Sequence, residues 1–345
     1  MRVVDECPSC GRQEYTRLRK ETFAHTQGPF TARDEQINAH LEACSLSRIV
    51  FTVLFCRHCG LAFRAPAFDD DELATVNSRE FSDIQRCIHL KYSQSNDETA
   101  LRHRIANGKQ IFRYLAAQVE RRRRLDIVVA GRRIVDIGGG DGSYLYPFLK
   151  VGMDCYCVDV HTERRFSERI TYIESSLADC SPGVTFDCAL VVHCLEHVPW
   201  PVRFLGRVRE MMGHKGVVII EVPLELPFIA LRLAGSHPPH LTYFTKRSLY
   251  NALVLSELAP LGVTTCRNGF GVPVVRAIGQ KEVRMRGPEG PLMKGSWVGD
   301  CVLNWTVASW GVKRGAYRVR RGWRAWRGEC RGGRLWRARR GCRAG

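Results

Sequence analysis

The sequence predicts an α/β protein with a parallel central sheet that is covered by helices on both faces. Between residues 126 and 281, short runs rich in β-branched residues alternate with stretches of helical spacing. A glycine-rich segment at residues 138–142 separates the first of these strands from the first of these helices, as in open sheets that bind a ligand there. Such alternation is typical of parallel sheets, and 345 residues with 45% apolar content are enough for at least one full-sized core.

Seven strands and three helices are predicted in this body. Strands are expected at residues 134–137, 155–159, 170–173, 188–192, 217–222, 262–268 and 274–279, and helices at 143–151, at 201–212 and after Thr245. Pro201 suits a first helical position and Thr245 suits an N-cap. Because Gly269 and Gly271 lie between the last two strands, we expect these strands to form an antiparallel hairpin that closes the sheet.

Three further segments flank the body at 126–281. They are a head with paired cysteines at residues 1–66, a polar helical connector at 67–125 and a basic tail at 282–345. Apolar residues with helical spacing predict a helix over residues 97–125 of the connector, and the Asn107-Gly108 pair predicts a break in it.

The tail carries most of the positive charge of the chain. Residues 282–345 contain sixteen Lys or Arg and four Asp or Glu, which is +12 of the formal net charge of +17, and six of the seven tryptophans. With so few aliphatic residues this segment cannot build a core. We interpret it as a disordered extension, or as sequence translated beyond the true end or out of frame. A strip that binds nucleic acid or anionic lipid is the alternative.

Membrane and secreted classes are not favoured. No run approaches the roughly 18 apolar residues of a membrane-spanning helix, and the first residues lack the apolar core of a signal peptide. Most of the fifteen cysteines are scattered singly through apolar segments, which indicates reduced, buried thiols. We therefore expect a soluble, cytoplasmic protein.

Acidic residues surround the glycine-rich segment. Asp136 and Asp141 would repel a pyrophosphate, and Ser143 stands at the third glycine position of a nicotinamide-dinucleotide fingerprint. A cationic cofactor without phosphate fits better, and S-adenosylmethionine (SAM) has an ammonium, a sulfonium and a ribose. Asp159 ends the next predicted strand, where an acid can accept hydrogen bonds from both ribose hydroxyls.

With these residues the sequence resembles the class I SAM-dependent methyltransferases. The resemblance comprises Asp-x-Gly-x-Gly-x-Gly at 136–142, Phe186-Asp187, and the segments 193–199, 215–223 and 240–249, in the order of the family. It covers residues 134 to about 279 and implies a Rossmann-like, seven-stranded sheet.

The resemblance also implies how SAM is held. Asp136 and the backbone of Gly138, Gly140 and Gly142 would hold its amino-acid end, Asp159 its ribose, and Leu195 the adenine side. Many relatives have an Asp after the third strand to hold the adenine amino group, whereas this chain has Ser176, which can still form a hydrogen bond.

Two pairs of cysteines in the head predict a structural zinc site. Cys7 and Cys10, and likewise Cys56 and Cys59, place two thiolates on one tight turn, and two such turns complete a tetrahedral Zn²⁺ shell with no open position. The intervening residues exceed those of a compact zinc ribbon, so an insertion must loop out between the two turns. A redox pair is the alternative, and His58 or Cys44 are alternative ligands.

Histidines in loops after the fourth and fifth strands are candidate general bases. His197 and His240 are both expected at the carboxyl edge of the sheet, and Tyr243 is expected to orient the acceptor. The layout of a zinc-bearing head before the catalytic domain resembles that of small-molecule methyltransferases, so we expect a sugar or another natural-product intermediate as acceptor. The alternative is a protein that binds or modifies RNA or DNA through its zinc head and basic tail.

Overall fold

The computed structural model describes residues 1, 4–28, 31–76, 78–93, 97–122, 131–162, 164–231, 235–281 and 292–294. In chain order the elements are β1 (Tyr15–Ala24), α1 (Ala32–Ala43), β2 (Arg48–Cys56), β3 (Ala62–Ala65), α2 (Asp70–Val76), α3 (Arg79–Ser93), α4 (Asp97–Arg122), β4 (Arg133–Ile137), α5 (Tyr146–Lys150), β5 (Asp154–Asp159), β6 (Ile170–Glu174), β7 (Phe186–Val192), α6 (Pro201–Met211), β8 (Met212–Pro223), α7 (Leu226–Ala230), β9 (Thr242–Tyr243), α8 (Lys246–Leu255), β10 (Leu258–Arg267) and β11 (Pro273–Lys281). No helix within the described ranges is long and apolar enough to span a membrane. Almost all of the tail, for which disorder is predicted, lies outside these residues.

The larger sheet has seven strands in the order β10-β11-β8-β7-β4-β5-β6. The five strands from β8 to β6 run parallel, and β11 is antiparallel to both of its neighbours. The predicted α/β class, the seven strands and the closing hairpin are therefore confirmed. Because β5 and β7 lie on opposite sides of β4, the strand order reverses at β4, and ligands bind at such reversals in open α/β sheets.

Helices cover both faces of this sheet. Ile134 of β4 packs in one cluster with Ile111 of α4, whereas the next residue, Val135, packs in another cluster with Leu205 of α6 and Leu249 of α8. Successive residues of a strand point to opposite faces, so each strand contributes to both clusters. This explains why the strands are continuous apolar runs rather than alternating ones.

Helix α4 is continuous through Asn107 and Gly108, so the break predicted there is wrong. A Cβ on Gly108 would lie 2.5 Å from the carbonyl oxygen of Tyr144, so glycine is what allows the helix to approach the turn before α5. Asn107 is fully buried, and its side chain donates to Glu221 Oε1 (2.7 Å). Both residues therefore fix the position of α4 on the sheet, and packing outweighs their low helix propensity.

The smaller sheet has the order β1-β2-β3-β9 and belongs mostly to the head. Its core contains aromatic side chains such as Phe23 and Phe51, together with Leu41 of α1. Helix α1 lies between β1 and β2, so the insertion expected between the two cysteine pairs is a hairpin that carries a helix. Strand β9 pairs with β3 through Ala62 and Phe63. The body segment thus supplies the last strand of the sheet in the head.

Arg64 of β3 joins the head to the loop before β9. This buried guanidinium donates to Tyr243 Oη (2.8 Å), to the carbonyl of Pro238 (2.5 Å) and to the carbonyl of His237. It also lies 4.5 Å from the ring centroid of Phe51, a favourable cation–π arrangement. The loop that contains His240 is therefore held by the head.

Candidate active site

The glycine-rich loop begins where β4 ends, at the reversal of strand order. Gly138 and Gly142 have positive φ values of 67° and 77°, which glycine adopts without the steric cost of a Cβ. A Cβ at Gly138 would also lie 2.8 Å from Cys194 Sγ, whereas at Gly140, with φ 55°, it would meet nothing within 4 Å. The loop therefore leaves open space for a ligand beside its backbone.

Asp136 lies beneath this loop as a buried acid with no partner. Its side chain is 1% exposed, and neither carboxylate oxygen has a hydrogen-bond partner among the described residues. Burial, with smaller effects from Asp159 and Asp141, raises its pKa to about 8. Buried polar groups are normally satisfied, so an acid without a partner directly behind the glycine-rich loop favours a positively charged ligand at this loop.

Asp159 is held at the carboxyl end of β5 by two backbone amides. Its Oδ2 accepts from Gly140 N (2.8 Å) and its Oδ1 from His161 N (3.0 Å). These bonds fix the carboxylate beside the glycine-rich loop. Asp141 is expected from the sequence to offer negative charge to a cationic ligand. In the structure it pairs instead with Arg104 of α4 (2.7 Å).

An open cavity of about 740 Å³ joins the loop to the head. On the side of the glycine-rich loop it is lined by Gly138, Asp159 and Ser176, and on the other side by His197 and His237. The lining residues that come from the head and connector are Gln36, Phe68, Leu73, Val76, Phe81 and Gln85. The cavity therefore has the size of a typical small-molecule binding site.

His197 lines this cavity, and the ring of His240, the second predicted site histidine, packs against it. The rings of His197 and His240 lie 4.8 Å apart, and Leu241 N donates to the carbonyl of Glu196 (2.8 Å), which holds their two segments together. His197 Nδ1 contacts the carbonyl of Pro239 (3.2 Å). Because a carbonyl only accepts, Nδ1 of His197 carries the proton, and Nε2 has the free lone pair.

Both histidines are oriented in the same way. His240 Nδ1 donates to Glu225 Oε2 (2.7 Å), because a carboxylate only accepts. Burial and the neighbouring His240 lower the pKa of His197 to about 4, so its ring is neutral at physiological pH.

The other predicted site residues lie at different depths. Ser176 Oγ donates to Asp179 Oδ2 (2.6 Å) at the rim. Leu195 is fully buried, whereas Cys194 and Val198, which lie before and after it in the chain, line the cavity. Tyr243 is buried in the core of the head, where its hydroxyl donates to the carbonyl of His240 (3.2 Å). From this position Tyr243 supports the histidine loop from behind.

Comparison with protein families identifies the domain that carries this site. Residues 107–259 match the family model described as a methyltransferase domain. This chain contains a methyltransferase domain. With the seven-stranded sheet and the glycine-rich loop, the match confirms the resemblance to the class I, SAM-dependent methyltransferases.

The methyltransferase domain has relatives that act on different acceptors. A tRNA U34 carboxymethyltransferase of Dichelobacter nodosus (strain VCS1703A) is 31% identical over 104 residues, which are 27% of this chain and 33% of that protein. A ubiquinone biosynthesis O-methyltransferase of Rhodopseudomonas palustris (strain BisA53) is 30% identical over 102 residues, which are 27% of this chain and 40% of that protein. This chain thus spans at most 40% of the length of these two relatives.

A solved structure with a similar fold is 1,6-didemethyltoxoflavin-N1-methyltransferase of Burkholderia thailandensis, with bound 1,6-didemethyltoxoflavin and S-adenosylhomocysteine. It is 18% identical, with a TM-score of 0.47 over 68% of this chain and 95% of that chain.

A charged network reaches the same cavity through His193, which is one of its lining residues. Glu221 of β8 is fully buried and accepts from Arg276 Nε of β11 (2.8 Å). His193 lies between Glu196 (3.4 Å) and Glu221 (3.3 Å). Although burial opposes its charged form, hydrogen bonds to these two carboxylates raise the pKa of His193 to about 10. Sequence spacing indicates only the pair of His193 and Glu196, because Glu221 and Arg276 lie on separate strands.

The four cysteines of the head converge as the sequence predicts. Cys7 Sγ lies 3.5 Å from Cys59 Sγ, and Cys10 Sγ lies 3.6 Å from Cys56 Sγ. All four sulfur atoms lie within 4.8 Å of one another, and zinc–sulfur bonds of about 2.3 Å in a tetrahedron require sulfur atoms about 3.8 Å apart. The donor set therefore fits Zn²⁺.

Replacement of Asp136 by asparagine should make the stability of the domain less dependent on pH between pH 5 and pH 8. The pKa of Asp136 is about 8 in the folded chain, against an ordinary value of 3.8, so the folded state retains a proton that the unfolded state releases. The stability contributed by this proton is complete below about pH 4 and is lost as pH rises towards about 8, by up to about 1.4 kcal/mol per pH unit.

The Asp136→Asn variant has no ionisable group at this position, so its stability lacks this pH dependence. Its melting temperature relative to that of the unmodified chain should therefore rise by several degrees between pH 5 and pH 8, measured by calorimetry without SAM. A difference that stays constant with pH would show that Asp136 is not a buried neutral acid.

Proposed function

We propose that this protein transfers a methyl group from SAM to a small-molecule acceptor. The observation that carries the proposal is the partnerless carboxyl group of Asp136 beneath an open glycine-rich loop, with Asp159 fixed beside it. Asp136 and the amides of Gly138, Gly140 and Gly142 would hold the amino-acid end of SAM, Asp159 its ribose, and Ser176 and Leu195 its adenine side. Bound SAM supplies a methyl group on a positively charged sulfur.

The lining of the cavity supports an uncharged acceptor. The wall from the head and connector is mostly apolar, with Phe68 and Phe81 as examples, and none of the described residues that line the cavity is Lys or Arg. His193, the lining histidine whose pKa is raised, is already paired with Glu196 and Glu221. Binding of a phosphate group normally uses such cations or a helix N-terminus. We therefore propose a natural-product intermediate with an apolar face, or a sugar without phosphate, as the acceptor.

His197 is the proposed general base. It lines the cavity, its Nε2 lone pair is left free by the bond from Nδ1 to Pro239, and its ring is neutral. His240 packs against it from behind and is held by Glu225. A base in this position would remove the proton of an acceptor hydroxyl or carbon acid, while the cavity aligns the acceptor for in-line attack.

The proposed function is tested by incubating the purified protein with SAM that carries a deuterated methyl group and a pool of small metabolites. Mass spectrometry should reveal one metabolite that gains the labelled methyl group, with release of S-adenosylhomocysteine. Label in added RNA or DNA instead would support the second candidate, a nucleic-acid-modifying enzyme, for which the charge of residues 282–345 is the supporting observation. Absence of label in every fraction would count against both.

Substitution of His197 by alanine should lower kcat for the metabolite so identified by about 10²–10⁴, the usual contribution of a general base. The Kd for SAM should stay within about twofold, because the proposed SAM contacts do not involve this ring. The exposed His214 offers a control, and His214→Ala should keep the activity of the unmodified chain. Unchanged kcat in His197→Ala would exclude this residue as the base.

The Cys7, Cys10, Cys56 and Cys59 cluster is proposed to hold a structural zinc ion. Supporting this role, four thiolates fill a tetrahedral shell and leave no position for a substrate, and Cys7, Cys56 and Cys59 are buried in the main hydrophobic cluster.

A further inference from the structure

A second group of ligand-type atoms lies at the wall of the cavity, apart from the cysteines. One carboxylate oxygen of Glu196 and one ring nitrogen each of His197 and His240 all lie within 4.8 Å of one another. Glu196 and His197 belong to the short helical turn after β7, and His240 comes from the loop before β9. Two imidazoles and a carboxylate are a donor set that transition metals such as zinc, cobalt and nickel bind in proteins.

The hydrogen bonds around this cluster are those of metal-binding histidines. Ligating histidines nearly always donate the other ring N–H to a carboxylate or a backbone carbonyl, which fixes the tautomer and the ring orientation. His240 donates from Nδ1 to the Glu225 carboxylate, and His197 donates from Nδ1 to the Pro239 carbonyl. In each histidine, Nε2 is therefore the ring nitrogen that remains for a ligand.

Glu196 supplies a second, independent observation. Its side chain is 1% exposed, and Oε2 has no hydrogen-bond partner among the described residues. The other oxygen, Oε1, lies 3.4 Å from His193 Nδ1 and 3.9 Å from His197 Nε2. A buried carboxylate oxygen without a donor is costly, and a bound cation would satisfy it.

His237 lies beside this cluster but is not one of the three residues whose ligand atoms lie within 4.8 Å of one another. Its ring lies 4.5 Å from that of His240, and its buried Nδ1 likewise has no partner in the described part of the chain. The carbonyl of the same residue is held by Arg64, so the head fixes the position of this third histidine.

We propose that Glu196, His197 and His240 form a binding site for a divalent transition-metal ion, and that the bound ion inhibits methyl transfer. The inhibition rests on the proposed function, because the ion would occupy Nε2 of His197, the atom proposed to take the proton from the methyl acceptor. The binding itself does not depend on that function.

The test is a calorimetric titration in which Ni²⁺ is added to the full chain that already has zinc bound in the head. One further metal equivalent should bind while the zinc content stays constant. Substitutions His240→Ala and Glu196→Gln should each weaken Ni²⁺ binding at least about 10-fold, and Glu225→Gln should weaken it by about 10–100-fold, the usual effect of losing the partner of a ligating histidine. The control His214→Ala removes an exposed histidine outside the cluster and should bind Ni²⁺ as the unmodified chain does.

A second measurement keeps the test independent of how well the variants fold. Co²⁺ added to the unmodified, zinc-loaded protein should give the visible bands of nitrogen and oxygen ligands without thiolate charge transfer. Methyl transfer should fall in proportion to Ni²⁺ occupancy and recover when a chelator removes the nickel.

Absence of an additional Ni²⁺ equivalent, Ni²⁺ binding that is lost equally in His214→Ala, or full activity with Ni²⁺ bound would overturn the proposal. If methyl transfer is absent without nickel, the proposed function fails, whereas the titration still decides whether the metal site exists.

Discussion

Removal of the proposed zinc ion from the head, by a strong chelator or by the substitution Cys56→Ser, is expected to lower the melting temperature by at least about 10 °C. Structural zinc sites contribute about 10–16 kcal/mol of folding free energy in isolated zinc-finger peptides. In a domain of this size the melting temperature falls by about 2–4 °C for each kcal/mol of stability that is lost. Cys56 is fully buried and shares a cluster with Leu61, Phe63 and Leu195. Without the metal, three buried thiols would lie in this cluster with no common partner.

The effect should extend to the active site. Strand β3 follows the second cysteine pair, and its Arg64 holds the carbonyls of His237 and Pro238. Zinc removal should therefore reduce methyl transfer more than it weakens SAM binding, because the contacts proposed for SAM lie on the other side of the cavity. Differential scanning calorimetry, metal analysis and SAM titration on the same samples measure the three quantities.

Two cysteines serve as matched controls for Cys56→Ser. Cys44 is half-buried and Cys87 is exposed, and neither belongs to the cluster of four sulfurs. The variants Cys44→Ser and Cys87→Ser should both keep one zinc per chain. Loss of zinc in Cys44→Ser would instead support the alternative that this thiol is a ligand, and a zinc-free chain with an unchanged melting temperature would show that the metal has no structural role.

Substitution of Asp159 by alanine is expected to raise the Kd for SAM by a factor of about 100 or more. Hydrogen bonds to a charged group contribute about 1.5–3 kcal/mol each, and this carboxylate is proposed to accept one from each ribose hydroxyl. The change would also remove the bonds that Gly140 N and His161 N donate to it, so the glycine-rich loop would lose part of its support. Isothermal titration calorimetry with SAM and with S-adenosylhomocysteine measures the effect.

Asp154, at the opposite end of the same strand, is the control for this substitution. It is exposed and lies far from the carboxyl edge of the sheet. Asp154→Ala should therefore leave SAM binding unchanged within about twofold. If Asp159→Ala bound SAM as tightly as Asp154→Ala does, the ribose would have to be held elsewhere and the site assignment would be wrong.

The strands and the ligand-binding edge were predictable because their signals are local. Buried parallel strands are short apolar runs, and the glycines after β4 indicate a tight turn at the carboxyl edge of the sheet. The Thr245 cap of α8 is equally local, since Ser248 N donates to Thr245 Oγ1 (3.3 Å). Each of these features depends on residues within a few positions of one another, so sequence spacing is sufficient to detect it.

The partners of the site residues depend on contacts between distant parts of the chain, and they were not predictable. Asp141 was expected to attract a cation, yet its charge is balanced by Arg104 from α4, 37 residues earlier. Glu225 orients His240 from a loop that has no motif. The Asn107-Gly108 pair indicates a break by local propensity, whereas its role in α4 is set by Tyr144 and Glu221. The partners of Asp141 and His240, and the continuity of α4 at Asn107 and Gly108, are all set by tertiary packing.

The late position of β9 in the chain has a consequence for biosynthesis. One edge of β3 is covered when Ala62 and Phe63 pair with Tyr243 and Thr242 of β9. Arg64 and Tyr243 are 179 residues apart. The ribosome must therefore translate nearly 180 further residues before this edge of β3 is covered. An unpaired strand edge is a template for intermolecular pairing. A nascent or recombinant fragment that ends after residue 66 should therefore aggregate, and the head cannot be grafted onto another enzyme without its distant fourth strand.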